Sequence, residues 1–366
     1  MAGRDTTIRN DGTGANLVPA PGMAAPIRPG GLAVVVGAGA SGLAALRLLA
    51  ALGARPRLLD KKEFLPETRE LARKLNAELI AGEHAPEQFA GADLVVTSPG
   101  VPMSVLRPLL AAAGNPPLIA ETELALRYVG EPVLAVTGSS GKTTTVSLAA
   151  AMLEAAGKKV FLGGNIGTPL SDYVLGPDKA DKQGKADVLV LELSSFQLQG
   201  CASVRPRAAV LLNLTANHLD QHADMEEYAE AKFSLFARQT ADDLAVLPPG
   251  FAGRLEIFAD KGRFTGMRLL GRHNAANAEA AYLACREFGV TEDTAARAAA
   301  EFEPLAVVVA QRHRTAGRQR SRSLLLPERV RPGQLHGRAG ACDPAEFGIE
   351  QMRAARRRQQ NHERRI

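Results

Sequence analysis

Val133-Leu134-Ala135-Val136-Thr137-Gly138-Ser139-Ser140-Gly141-Lys142-Thr143-Thr144-Thr145 joins a short apolar run to a glycine-broken turn and then to helix-forming residues. Four consecutive apolar residues closed by a turn are the pattern of a strand buried on both faces. Gly138 and Gly141 let the chain turn with its N–H groups facing inward, and a helix predicted over residues 142–156 begins at once, its positive end aimed at the same point. Such a turn cradles an anion. Lys142 would bring a point charge to the β and γ phosphates of a nucleotide, and Thr143 a hydroxyl to Mg²⁺. The spacing departs from G-x-x-x-x-G-K-[ST], because Val136 stands where the first glycine belongs. Taken alone, Gly141-Lys142-Thr143 equally fits a tight turn ahead of a helix; the strand before it and the helix after it favour the phosphate site.

Outward from this turn, strands and helices alternate in both directions. Upstream, strands are predicted at Leu32–Val36, residues 57–59 and residues 93–97, with a helix over residues 41–52. Downstream, strands are expected at residues 159–162, 187–191 and 208–212, and helices at residues 225–238, 274–287 and Glu292–Glu301. This alternation predicts an α/β protein built on parallel sheets. The expected organisation is a flexible extension over 1–30, a Rossmann-like domain over 31–130, a P-loop ATPase-like central domain over 131–305, and an irregular or disordered Arg-rich tail over 306–366.

Composition narrows the function classes. A chain of 366 residues with 46% hydrophobic content can bury two or three ordinary cores. No apolar run approaches the roughly 18 residues of a membrane span, and the first thirty residues lack the apolar block of a signal peptide. The expected compartment is the cytoplasm, with no membrane partner. Cys201, Cys285 and Cys342 are too few and too scattered for a disulfide framework or a zinc knuckle. The net charge of +5 is borrowed from the tail, since residues 311–366 hold fourteen arginines, no lysine and five acids while the remainder is mildly acidic. A nucleic-acid partner is therefore not expected of the body; nonspecific retention through the tail would depend on its charge.

Three further residues sit where chemistry is usually placed. Glu192 ends the strand expected at residues 187–191, and in an open α/β sheet the C-terminal strand ends face the ligand, so its carboxylate is placed to hold Mg²⁺. His218 follows the next strand in Asn213-Leu-Thr-Ala-Asn-His218-Leu-Asp220. Lys232 lies on the helix that follows. Each, taken singly, is also what a solvated surface supplies. Near the N-terminus, Gly37-Ala-Gly39-Ala-Ser41-Gly42 satisfies G-x-G-x-x-G, and Asp60 ends the next strand. That is the dinucleotide fingerprint, so an NAD(P)-dependent oxidoreductase is the competing reading. It leaves the Lys142 turn and Glu192 unexplained.

The string T-G-S-S-G-K-T-T resembles the phosphate loop of the Mur ligase and folylpolyglutamate synthetase superfamily, with Ser140 in the usual Asn place. G-G-N-I-G at residues 163–167, L-E-L-S-S-F-Q-L at 191–198, N-x-T-x-x-H-x-D at 213–220, A-x-A-K at 229–232 and H-N-x-x-N-A at 273–278 are similar to the central domain of Mur ligases, most of all the branch that adds D-glutamate. The resemblance runs from about residue 32 to 303. It implies an ATP-dependent amide ligase of peptidoglycan precursor synthesis, acting on UDP-N-acetylmuramoyl-L-alanine and D-glutamate through an acyl phosphate, as a monomer with two Mg²⁺ sites. By the same resemblance Gly138, Ser139, Ser140, Gly141, Lys142, Thr143 and Thr144 hold the ATP phosphates, and Asn274 and Asn277 meet its adenosine part. Glu192 and His218 help hold the metal, Lys232 is carbamylated to become a further ligand, and Ser41, Asp60, Ser98 and Asn165 contact the UDP-linked precursor. The plainer role of Asn274 and Asn277 is helix capping.

After residue 303 the resemblance expects a Pro-His-Arg segment and a third domain with an N-D-S-K-A-T-N-like string, and this sequence carries neither. The match breaks where the arginine-rich composition begins. A frame change or truncation in the gene is the expectation there, with weakened turnover as its consequence.

Overall fold

The computed structural model describes residues 17–176, 185–215, 222, 224–248, 256–264, 266–269 and 271–303. The arginine-rich tail, the first part of the N-terminal extension and His218 lie outside the described residues. From the extension, Ile27 is buried against the first sheet and Ala20 N–H donates to Arg127 O at 2.7 Å.

The first sheet holds β1 (Leu32–Val36), β2 (Arg55–Asp60), β3 (Glu78–Ala81), β4 (Leu94–Thr97) and β5 (Leu118–Ala120), all parallel, in the order β3-β2-β1-β4-β5. Both faces are covered, which is why β1 and β4 read as unbroken apolar runs rather than alternating ones. Ala33, Val35 and Leu58 pack with Leu46, Leu48 and Leu49 of α1 (Ala40–Ala51). On the other face Val34, Val36 and Leu59 meet Leu106 and Leu110 of α3 (Met103–Ala112), together with Phe89. An amphipathic α2 (Pro66–Lys74) lies between β2 and β3 in the chain.

The second sheet holds β6 (Val133–Thr137), β7 (Val160–Gly164), β8 (Val188–Glu192), β9 (Ala208–Leu211), β10 (Leu244–Leu247) and β11 (Glu256–Ile257) in the order β11-β10-β9-β6-β8-β7, again parallel. One face is covered by α5 (Lys142–Ala155), α9 (Arg272–Arg286) and α10 (Glu292–Glu301). Each leucine or valine removed from water in these layers is worth about 1.5–3 kcal/mol.

The other face of the second sheet shares one apolar cluster with α1 of the first, through α4 (Glu121–Leu126), α6 (Leu170–Leu175), α7 (Ser195–Gln199) and α8 (Met225–Phe233). Several of the polar groups trapped in this seam are matched, although Glu121 Oε2 and Ser171 Oγ are buried without a hydrogen bond. Arg47 forks onto both oxygens of Asp172 at 2.7 and 2.8 Å. Glu123 pairs with Arg127 at 3.0 Å and accepts from the N–H groups of Ala202 and Ser203 and from the Ser203 hydroxyl. A buried carboxylate is tolerated when it is both paired and hydrogen-bonded in this way.

The mixed α/β class and parallel sheets match the alternation seen in the sequence. Four strands were not expected: β3, β5, β10 and β11, of two to four residues each. The helix expected over 225–238 is instead α8 followed by a short 3-10 turn at Ser234–Phe236.

Candidate functional site

In each sheet the strand order reverses beside its central strand, and the crevice that this opens at the C-terminal strand ends is where open α/β sheets bind ligands. In the second sheet β6 lies between β8 and β9, and the turn 138–141 emerges there. Gly138 and Gly141 have φ of 152° and 82°, conformations that disfavour any residue with a side chain. At Gly141 a Cβ would also lie 2.9 Å from Asn277 Oδ1. Gly141 is the N-cap of α5, and no side chain caps that helix, so its positive end is open to an anion.

Two lysines converge on the turn. Lys142 Nζ donates to Gly138 O at 3.0 Å and to Ser139 O at 3.3 Å, and burial holds its pKa below the ordinary lysine range while Glu192 works in the opposite sense. Lys232 reaches the same carbonyl at 3.0 Å from α8 and is 2% exposed. Burial, reinforced by the charge of Lys142, brings its pKa down to about 7. The Lys232 ammonium also sits 4.5 Å above the ring of Tyr228, whose hydroxyl lies 2.9 Å from Ser139 Oγ. Thr144 follows on the first turn of α5.

Glu192 is buried at the end of β8 with both oxygens engaged. Oε2 accepts from Thr143 Oγ1 at 2.8 Å and Oε1 from Asn165 Nδ2 at 3.0 Å, while Asn165 N–H donates to the Glu192 carbonyl at 2.8 Å. The phosphate-type turn and Asn165 are thus joined through one carboxylate. Among the described residues no three His, Cys, Asp or Glu side chains cluster to hold a metal. What Glu192 and Thr143 do offer is a pair of hard oxygen donors beside the turn, which suits Mg²⁺.

Asn165 also lines a cavity of about 570 Å³ that extends to the first sheet. Ser41, Asp60 and Ser98 line the same cavity, together with Gly37, Lys61 and His84. The glycine turn there is shaped by close approach: a Cβ on Gly42 would fall 1.8 Å from Gly37 O and 2.7 Å from Ser98 Oγ. Asp60 braces the turn, accepting Ala38 N–H at 2.7 Å and Lys62 N–H at 2.8 Å, and Ser98 Oγ donates to Gly37 O at 3.0 Å. Desolvation lowers the His84 pKa, and its Nδ1 is buried without a hydrogen bond.

The structure therefore gathers Lys142, Thr143, Glu192 and Lys232 around one turn, and Ser41, Asp60, Ser98 and Asn165 around one cavity. Asn277 packs against Gly141, while Asn274 lies one helical turn earlier; α9 is capped by Gly271, so neither asparagine is its N-cap. Tyr228 was missed in the sequence, although its place four residues before Lys232 puts both on one helix face. Asn213 was seen only as part of a string, and its contacts with Ser139 and Ser140 had no sequence signal.

Comparison with known proteins places the chain in a family. The family described as Mur ligase middle domain matches residues 136–250, and the one described as Mur ligase MurD-like, N-terminal domain matches residues 32–116. The UDP-N-acetylmuramoylalanine--D-glutamate ligase of Oleidesulfovibrio alaskensis is 58% identical over 293 residues, 77% of this chain and 65% of the relative. A protein of the same name from Nitratidesulfovibrio vulgaris is 55% identical over 292 residues, 76% of this chain and 66% of the relative. The chain thus spans about 65% of the length of these curated relatives. Among solved structures, the UDP-N-acetylmuramate:L-alanyl-gamma-D-glutamyl-meso-diaminopimelate ligase from Neisseria meningitides superposes with a TM-score of 0.51 at 21% identity, over 75% of this chain and 98% of that one, a likeness of fold. With two matched domains in their family order and relatives above half identity, the chain belongs to the Mur ligase family.

Proposed function

We propose that this chain provides the nucleotide-binding and precursor-binding parts of an ATP-dependent ligase that joins D-glutamate to UDP-N-acetylmuramoyl-L-alanine. The observation that carries the reading is the continuous link from cavity to turn, Asn165 to Glu192 to Thr143, which sets a ligand in the cavity beside a nucleotide phosphate. Residues 31–130 act as a Rossmann-like domain whose Gly37–Gly42 turn, Ser41, Asp60 and Ser98 seat the UDP portion. The cavity volume falls within the usual range for small-molecule sites. Residues 131–305 act as the ATP-binding domain, with residues 138–144 on the phosphates and Asn274 and Asn277 toward the nucleoside.

A carboxylate is a poor acyl donor because oxide is a poor leaving group. Transfer of the γ-phosphoryl of ATP to the L-alanyl carboxylate gives an acyl phosphate; the amine of D-glutamate then attacks the acyl carbon and phosphate departs. Asn165 orients the carboxylate, and Lys142 neutralises charge on the transferring group. Magnesium held by Glu192 and Thr143 would offset phosphate charge, and by the family resemblance His218 and a second magnesium would join them. Lys232 is suited to carbamylation: its neutral amine adds to CO₂ and releases a proton, leaving a carboxylate-like ligand.

Calorimetry with UDP-N-acetylmuramoyl-L-alanine, and separately with NADH, tests the reading. Binding of the first alone supports it. Binding of NADH alone would replace it with the oxidoreductase that the glycine fingerprint also allows.

A further inference from the structure

Residues 212–215, which follow β9, lie over the phosphate-type turn and extend the β6–β9 pairing past the ends of the strands. Leu212 N–H donates to Thr137 O at 3.0 Å, and Ser139 N–H to Asn213 O at 3.1 Å. The Asn213 side chain continues the pattern. Its Oδ1 accepts Ser140 N–H at 2.9 Å and Ser139 N–H at 3.0 Å, and its Nδ2 donates to Ser140 O at 3.2 Å. Ser139 Oγ closes the seam, donating to Thr215 O and accepting Thr215 N–H, each at 3.0 Å.

An oxygen accepting from two successive N–H groups occupies a nest, the arrangement that otherwise holds an anion. Here the oxygen belongs to a neutral amide, and the other end of the same amide fixes the next carbonyl. Both peptide planes of residues 139 and 140 are set by one side chain. The N–H groups at the uncapped start of α5 are left facing the crevice. No other side chain of this size both accepts two N–H groups and donates to a C=O: alanine does neither, and aspartate accepts but does not donate and adds a negative charge.

We infer that Asn213 is a positioning residue for nucleotide binding: it holds residues 139 and 140 in shape before ATP arrives, so the phosphates meet a preformed cradle. The inference rests on the ATP reading of the turn. It also gives the residues leading to His218 a part in shaping the phosphate site, because the same segment carries both.

The test uses the full 366-residue chain as wild type, N213A and N213D. Titration with Mg-ATP, and separately with UDP-N-acetylmuramoyl-L-alanine, is combined with amide hydrogen exchange of the peptide covering residues 137–145 without ligand. For N213A, Mg-ATP binding weakens by about tenfold or more while precursor binding stays within about twofold, and exchange at Ser139 and Ser140 accelerates. For N213D exchange stays slow, since both acceptor bonds survive, yet Mg-ATP binding weakens through charge repulsion. Should N213A not fold, N213S takes its place with the same expected outcomes, since its shorter hydroxyl cannot span both peptides. Unchanged Mg-ATP affinity in both variants overturns the inference, as does unchanged exchange in N213A. Failure of the wild type to bind Mg-ATP instead removes the nucleotide reading, and the exchange comparison then decides by itself whether Asn213 holds the turn.

Discussion

Lys142 and Lys232 donate to the same acceptor, the carbonyl oxygen of Gly138, each at 3.0 Å. Two ammonium groups on one oxygen, both largely withdrawn from water, cannot both hold their protons at ordinary lysine pKa values. Lys232, the more buried of the two, yields and titrates at about 7.

Removing Lys142 is therefore expected to raise the pKa of Lys232. In Lys142→Met, the pH dependence of carbamate formation, followed by ¹³C NMR with labelled bicarbonate, should move to higher pH. The same substitution should weaken Mg-ATP binding by about tenfold or more, since a charge-assisted contact is lost. A carbamate profile identical to wild type would show that the two lysines do not communicate.

Lys232 also links stability to pH. Its pKa is about 7 in the folded protein against an ordinary 10.5, so between those values the unfolded chain binds more protons and stability rises with pH; below about 7 both states are protonated and the cost of the buried charge is fully present. Lys232→Met removes that cost. Its melting temperature relative to wild type should be higher by on the order of a few degrees at pH 7, with the gap closing toward pH 10. A gap that does not vary across this range would place the Lys232 titration elsewhere.

Asn165→Ala deletes the donor to Glu192 Oε1 and the polar end of the cavity. Leaving a buried carboxylate oxygen unmatched costs about 1–3 kcal/mol. On the proposed seating, UDP-N-acetylmuramoyl-L-alanine should bind about tenfold more weakly, while UDP alone should bind as to wild type. Equal weakening of both ligands in parallel titrations would place Asn165 at the nucleotide rather than at the far end.

Gly42→Ala forces a methyl group to within 1.8 Å of the Gly37 carbonyl. The turn must shift, at a cost of about 1–3 kcal/mol, and with it the proposed seat of the UDP portion. Loss of precursor binding with Mg-ATP binding retained is the expected pattern. Retention of precursor affinity would mean that the glycine turn takes no part in holding that ligand.

How much of this was legible in the sequence depended on the length of each signal. The strand Leu32–Val36 and the helix Glu292–Glu301 have the bounds their apolar and capping patterns imply, with Thr291 accepting Thr294 N–H as N-cap. The strand Leu118–Ala120 and the half-exposed strand Glu78–Ala81 left no period to detect. At the site, Lys142, Thr143 and Glu192 stood out because strand ends and glycine turns mark their positions before any contact is known. Tyr228 did not, because nothing in the sequence distinguished it from any other aromatic one helical turn before a lysine, and Asn213 did not, since an amide spanning two peptides is a relation between distant segments. Asn277 was legible as a polar residue on a helix, but its burial against Gly141 came only from the packing of α9 over the turn.

The single apolar mass that unites the helices between the two sheets has a further effect. With Leu46 and Leu124 embedded among Leu170, Leu189 and Leu193, the span from the Gly37 turn to Asn165 is set by the packing of this mass, as in a gauge. A ligand anchored at the first end would be measured by whether its other extremity arrives at the second, and one that is too short would stop before Asn165.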